Sequence, residues 1–307
     1  MEPDVHAPNN GSTCYGFEAA ADSPIMFGRT GSGDPLQLTT RSPELPAPLG
    51  NLFYEWSRIP GKRAHTAIFA TADTYDVTIG GYQHFRVNPA AGTIEVWGET
   101  ESALREGLLW GTPIALCAVQ RGDLLLHAAA VEADDCALLL AAPTTSGKTT
   151  LAAAFHAAGY RALSDDLSCC RTGAGAWVLP GPALLRMRPD MAEQLNLSDT
   201  DIPFASEAKI YHAVDRSRRG SAAPVPLAGV VFLRDHDGEM YLEERSMRDA
   251  LRDLWGLSFF LPTDEDHERC FAGLADLVGR VPSWDLYRPI ETRSLPDVVS
   301  YLAEQIK

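Results

Sequence analysis

The sequence predicts an α/β protein built on a strand–loop–helix–strand unit and preceded by a smaller β-rich region. Three observations carry this prediction. "ALLLA" (Ala137–Ala141) is a short continuous apolar run, as expected of a strand buried on both faces. "PTTSGKTT" follows it and leads into an Ala- and Leu-rich stretch that stops at Gly159. "RALS" is a second apolar run, ending in Asp165-Asp166. That order is the signature of a βαβ unit with a parallel sheet.

The other elements follow in chain order. Residues 1–50 are rich in Pro, Gly, Ser and Thr, which predicts a flexible start of about 20 residues, then extended pieces and turns. Val77, Ile79, Phe85, Val87, Ile94 and Val96 alternate around Gly80-Gly81 and Asn88–Gly92, predicting a small antiparallel meander. A helix is expected from Glu99 to about Gln120, with Pro113 breaking or kinking it. Residues 1–98 therefore form an N-terminal β-rich region, and residues 99–307 a second domain with C-terminal helices. Within the latter, Leu124–His127 and Ala128–Val131 predict a strand with a bend. Thr149–Ala158 predicts a helix and Leu227–Leu233 a buried strand. "SMRDALRDLWGLSFF" and "LPDVVSYLAEQIK" predict two more helices.

The 307 residues carry 41 acidic and 26 basic side chains, for a net charge of −15. That balance argues against a nucleic-acid partner. No window approaches the ~20 apolar residues that cross a bilayer, so no membrane partner is expected. The acidic, polar start predicts no secretory signal. Six cysteines without a C-x-x-C pair point to reduced thiols in a cytoplasmic protein. The vicinal Cys169-Cys170 reads as two small buried residues on a strand rather than a redox pair.

The loop carries the chemistry. A phosphate-binding loop points backbone N–H groups at an anion, at the positive end of a helix. Its usual pattern is G-x-x-x-x-G-K-[ST]. Here Ala142 stands at the first glycine, followed by Pro143, Thr144, Thr145, Ser146, Gly147, Lys148, Thr149 and Thr150. Residues 144–150 form the candidate nucleotide cradle. Lys148 would reach the outer phosphates, and the Thr149 hydroxyl would sit on Mg²⁺. Alanine is tolerated at 142 if its φ is negative, which Pro143 favours by holding its neighbour extended. Asp165 follows Lys148 by 17 residues, enough for one helix, one turn and one strand. Both carboxylates thus return to the phosphate end of the sheet, one to hold Mg²⁺ and the other to take a proton from an attacking hydroxyl. His127, one strand earlier, would hydrogen-bond an aspartate or a phosphate. The absence of an N-K-x-D motif argues against a GTPase.

Taken together, "LLLHAAAV", "LLLAAPTTSGKTTLAAAFHAAGYRALSDDLSCC" and "VLPGPALLRMRPD" resemble the HPr kinase/phosphorylase superfamily. The likeness is closer to its short relatives from peptide and natural-product clusters, including lasso-peptide precursor kinases. "GGYQHFRVNPAAGTIEVWG" resembles the small β domain that precedes their core. The resemblance implies a P-loop core of the PEP-carboxykinase and HPr-kinase type, ATP and Mg²⁺ as cofactors, and transfer of the γ-phosphoryl group to a Ser or Thr hydroxyl. It implies Asp166 as base, Asp165 and Thr149 at the metal, and His127 and Lys148 in catalysis. The glutamate-containing signature of HPr kinases proper is missing, which points away from HPr as acceptor. HPr kinases assemble as oligomers, leaving a homo-oligomer open.

For the acceptor, Arg186 and Arg188 alternate on an expected strand, Lys209 lies in "SEAKIYH", and Arg216, Arg218 and Arg219 sit in an expected mobile loop. Such cations suit a phosphate or carboxylate. The acceptor is expected to be a precursor peptide; a small hydroxylated metabolite and a non-catalytic nucleotide-binding regulator are the alternatives.

Overall fold

The computed structural model describes residues 12–56, 65–143, 146–197, 202–206, 209–289 and 291–305. The readings made for residues 1–11 and for Thr144 and Thr145 lie outside the described residues.

Among the described residues, nine strands precede the first helix: β1 (Ser12–Cys14), β2 (Phe17–Ala21), β3 (Arg29–Thr30), β4 (Asp34–Thr40), β5 (Asn51–Trp56), β6 (Thr66–Ala70), β7 (Tyr75–Ile79), β8 (Gln83–Asn88) and β9 (Thr93–Trp97). They form one sheet in the order β3-β1-β2-β4-β9-β8-β7-β6-β5. The expected meander is its β7–β8–β9 portion. The rest is larger than expected, because β4 hides an alternation in "DPLQLTT" that buries Leu36 and Leu38. The expectation of about 20 flexible residues is corrected from residue 12 onward. Cys14 and Tyr15 are buried, and the Tyr15 hydroxyl donates to the Leu167 carbonyl at 2.8 Å.

The single expected helix is two, α1 (Ser102–Leu109) and α2 (Thr112–Arg121). The break falls at Trp110-Gly111. Pro113 lies in the first turn of α2, where a missing N–H costs nothing. Trp110, Ile114 and Leu116 pack with Val77, Phe85, Val87 and Ile94, so these helices cover one face of the nine-stranded sheet.

The later strands are β10 (Leu124–Leu126), β11 (Ala128–Ala133), β12 (Cys136–Ala141), β13 (Arg161–Ser164), β14 (Ser168–Arg171), β15 (Trp177–Leu179), β16 (Leu184–Met187), β17 (Phe204–Ala205), β18 (Ile210–Ala213), β19 (Val225–Asp235), β20 (Tyr241–Glu244), β21 (Ser258–Phe259) and β22 (Ser283–Arg288). The helices among them are α3 (Lys148–Ala157), α4 (Pro189–Gln194), α5 (Met247–Leu257), α6 (Asp264–Arg280) and α7 (Leu295–Gln305). Strands β16, β18 and β17 make a small separate sheet; the other ten make the second large one.

The βαβ expectation needs a correction. Strands β12 and β13 are not neighbours; β11 lies between them, antiparallel to both. They still run the same way, so the loop after β12 and the aspartates after β13 meet at one end of the sheet. Parallel pairing runs instead from β12 to β19 and from β19 to β22.

Side chains of this sheet alternate between two cores, as strand geometry requires. Leu138, Leu140, Val231 and Leu286 meet Leu151 and Phe155 of α3 and Val298 and Leu302 of α7. Leu139, Ala141 and Phe232 meet Leu254 of α5 and Leu274 and Leu277 of α6. Helix α6, with 17 residues, escaped the sequence reading because "DEDHER" opens it with charge. Those charges are its start signal: Thr263 accepts from the Asp266 N–H, and acidic groups complement the helix N-terminus. Cys169 and Cys170 are fully buried on opposite faces of β14, in agreement with the structural reading, and burial pushes the Cys170 thiol up to about 12.

Candidate active site

The loop after β12 turns directly into α3. Ala142 is buried and keeps a backbone outside the left-handed region, as Pro143 predicted. Gly147 takes the strained role instead. Its φ is +84°, and a Cβ there would sit 2.7 Å from Nη2 of Arg288. The first turn of α3 carries no acidic side chain, so its N–H groups face the loop uncontested.

Lys148 is buried at the first position of α3. Its Nζ donates to the carbonyls of Ala142 (2.8 Å) and Pro143 (3.1 Å) and lies 3.3 Å from Nε2 of His127. Three donors thus meet three neutral acceptors. Burial lowers the Lys148 pKa, while the charges of Asp166 and Asp165 oppose that shift.

His127 fills the break between β10 and β11. Its Nδ1 lies 3.0 Å from the Asp166 carbonyl and 3.3 Å from Asp166 Oδ1. A carbonyl can only accept, so Nδ1 carries the proton and Nε2 accepts from Lys148. Burial holds the imidazole pKa below its usual value, against the pull of Asp166, which favours this neutral form.

The two aspartates differ in environment. Asp165 is almost wholly buried, and one oxygen accepts the Arg186 backbone N–H at 2.7 Å. Its Oδ1 has no hydrogen-bond partner among the described residues. Burial raises the Asp165 pKa, opposed by Arg186 and the nearby Thr149 hydroxyl. The Asp166 side chain is 39% exposed. Burial works against its charge too, but Arg186, His127, Lys209 and Lys148 outweigh it and hold the pKa below the usual carboxylate range. Arg186 stands between the pair, 3.5 Å from Asp165 and 3.6 Å from Asp166.

The arrangement sorts the cations expected to meet an acceptor. Arg186 belongs to the aspartates, and Lys209 is close enough to act on Asp166. Arg188 departs from the expectation: it precedes α4, points to solvent and pairs with Asp190. The mobile loop is likewise corrected. Arg216–Arg218 form a short 3₁₀ turn capped by Asp215. Arg218 donates to the His156 carbonyl, and Arg219 donates to the carbonyls of Val214 (2.9 Å) and Met26 (2.6 Å). Those two side chains bind backbone.

Sequence reasoning missed Arg288. It ends β22, is 3% exposed, and donates to the carbonyls of Ser146 and Pro289, each at 3.2 Å. Its Nε has no partner, and no carboxylate pairs with it among the described residues. Burial lowers its pKa. The one signal was an arginine at a strand end before proline, which is weak.

A cavity of about 840 Å³ opens beside this cluster. Its lining includes Tyr54 and Trp56 of β5 together with His127, Ala142, Pro143 and Phe232. No helix among the described residues is long and apolar enough to cross a membrane.

No protein-family model matches the chain, and no curated protein matches it. Among solved structures, the chain is similar to the Hpr(Ser) kinase/phosphatase from Coxiella burnetii, at 12% identity and a TM-score of 0.33. The match covers 59% of this chain and 88% of that one. A TM-score this low marks a loose likeness, so the functional assignment rests on the residues of the site itself.

Proposed function

We propose that this protein is an ATP-dependent kinase that phosphorylates a hydroxyl group, with a peptide serine or threonine as acceptor. One observation carries the reading. The N-terminus of α3 meets Lys148, His127 and an ionised, partly exposed Asp166 within a single hydrogen-bonded cluster. In the proposed reaction the acceptor O–H gives its proton to Asp166. The acceptor oxygen then bonds to the γ-phosphorus, and the bond from that phosphorus to the β,γ-bridging oxygen breaks, releasing ADP.

Each neighbour has a task. Arg186 keeps Asp166 ionised and offsets the buried charge of Asp165. His127 fixes the Asp166 backbone through Nδ1–H and receives Lys148 at Nε2. Lys148 exchanges a carbonyl for a phosphate oxygen when nucleotide enters. Arg288 supplies a second cation beneath the loop. The orphaned Oδ1 of Asp165 beside the Thr149 hydroxyl suits Mg²⁺, a hard cation that prefers oxygen ligands. Bound Mg²⁺ would neutralise charge developing on the phosphates.

The test is Asp166→Asn, assayed with Mg²⁺–ATP and a library of serine-containing peptides. The expected result is a rate loss of at least ~10²-fold, typical of general-base removal, with Mg²⁺–ATP binding retained. An Asn variant that transfers phosphate at the wild-type rate removes Asp166 from the role of base. Mass spectrometry of the product separates a phosphopeptide from a phosphorylated metabolite.

A further inference from the structure

The nine-stranded sheet ends differently at its two edges. At one edge the two-residue strand β3 is covered, because Thr30 forms a bridge with Ser221. At the other, β5 pairs with β6 alone among the described residues. Edge strands are ordinarily blunted by lysine, proline, short length or bulges. Strand β5 has six residues, and the guards it carries are Glu55 and a bulge between Leu52 and Tyr54. It exposes Leu52, Tyr54 and Trp56 to 54%, 47% and 46%. Tyr54 and Trp56 are two residues apart and lie on one side of the strand, facing the cavity that contains His127.

We propose that the acceptor polypeptide docks as an added strand on β5, with Tyr54 and Trp56 gripping its side chains and steering its hydroxyl toward His127 and Asp166. This rests on the kinase reading above and adds the acceptor's conformation and docking surface. Main-chain hydrogen bonds to the open edge give affinity with little regard to sequence, and the aromatic pair adds selection at alternate positions. A purine base would use the two rings but leave the main-chain edge unpaired. A small metabolite would use neither. The edge itself therefore favours a polypeptide.

The test uses the full chain, Mg²⁺–ATP and a library of synthetic peptides with a central serine. The best substrate is then remade with alternate amides N-methylated, and the Tyr54→Ala/Trp56→Ala double variant is assayed beside the wild type. Docking on β5 predicts a rise of at least tenfold in peptide KM for the double variant. Mg²⁺–ATP KM and the thermal midpoint stay unchanged. N-methylation in one alternate register produces a similar loss, and in the other register it does not.

A double variant with wild-type peptide KM overturns the proposal. So does a rise in Mg²⁺–ATP KM, which would assign the aromatic pair to the nucleobase. Equal tolerance of both N-methylated registers overturns strand addition. If Mg²⁺–ATP binds but only small hydroxyl compounds are phosphorylated, the docking proposal falls while the kinase reading stands. If Mg²⁺–ATP does not bind at all, the kinase reading falls with it.

Discussion

Arg29 and Arg288 are both buried without a paired carboxylate among the described residues, yet they are satisfied to different degrees. Arg29, on β3, sits where the nine-stranded sheet meets the second half of the chain. Its Nε donates to the Gly181 carbonyl at 2.8 Å, and its Nη2 to the carbonyls of Ala162 (2.7 Å) and Leu163 (3.2 Å). Its Nη1 donates to the Arg219 carbonyl. Every nitrogen is used. Arg288, under the loop after β12, holds two carbonyls at 3.2 Å and leaves Nε bare. A buried charge is tolerable when it is fully hydrogen-bonded and expensive when it is not. Arg29 therefore reads as structure, whereas Arg288 reads as a cation kept for an anion that arrives with substrate. Arg186 is a third case, compensated by two carboxylates of the site itself.

Arg29→Met breaks the comparison from the structural side and should have the largest effect. It removes the guanidinium donor from the buried carbonyls of Gly181 and Ala162, each worth ~1–3 kcal/mol when left unpaired, while the Leu163 carbonyl keeps the Gly181 N–H at 2.8 Å. The expected loss is about 3 kcal/mol or more of unfolding free energy, measured by urea denaturation. A loss under ~1 kcal/mol would mean that water replaces the guanidinium and that its hydrogen bonds are dispensable.

Arg288→Gln breaks it from the other side. Mg²⁺–ADP affinity, measured by titration calorimetry, should fall at least tenfold, or ~1.4 kcal/mol. The thermal midpoint without nucleotide should hold or rise, because an under-compensated charge leaves the interior. A lower midpoint with unchanged affinity would make Arg288 a structural residue like Arg29.

The same contrast shows what could be read from sequence. The loop, the aspartates and His127 were legible because short spacing rules place them: a strand, a turn and a helix fix where Lys148 and Asp165 lie. The alternation of Val77, Phe85 and Ile94 was legible for the same reason. Arg29 and Arg288 were not, since Arg29 reaches its carbonyl partners, and Arg288 reaches Ser146, across more than a hundred residues of chain. The swap of Arg218 and Arg219 from mobile cations to backbone clamps has the same origin. Their carbonyl partners at His156 and Met26 are set by tertiary packing, which leaves no local pattern. The insertion of β11 between β12 and β13 was hidden too, because strand order is not a property of any single segment.

The smallest expected effect sharpens the structural side through pH. His156, near the end of α3, is 3% exposed and faces the cations Arg218 and Arg29 and the ring of His212. Burial, then Arg218, His212 and Arg29, push its pKa down to about 4 from 6.5, against a small opposing pull from the Tyr160 backbone. The folded state therefore keeps His156 neutral while the unfolded chain takes up a proton below about pH 6.5. In that window the unfolded state binds more protons, so stability falls as pH drops from about 6.5 toward about 4. One proton sets a ceiling of ~1.4 kcal/mol per pH unit, and residual solvent access keeps the slope below it. His156→Gln should flatten the stability profile across that window and leave it unchanged above pH 7, as followed by urea midpoints at half-unit intervals. A slope identical to the wild type would place the acid sensitivity elsewhere, with His127 the next group to substitute, since burial depresses its pKa in the same direction.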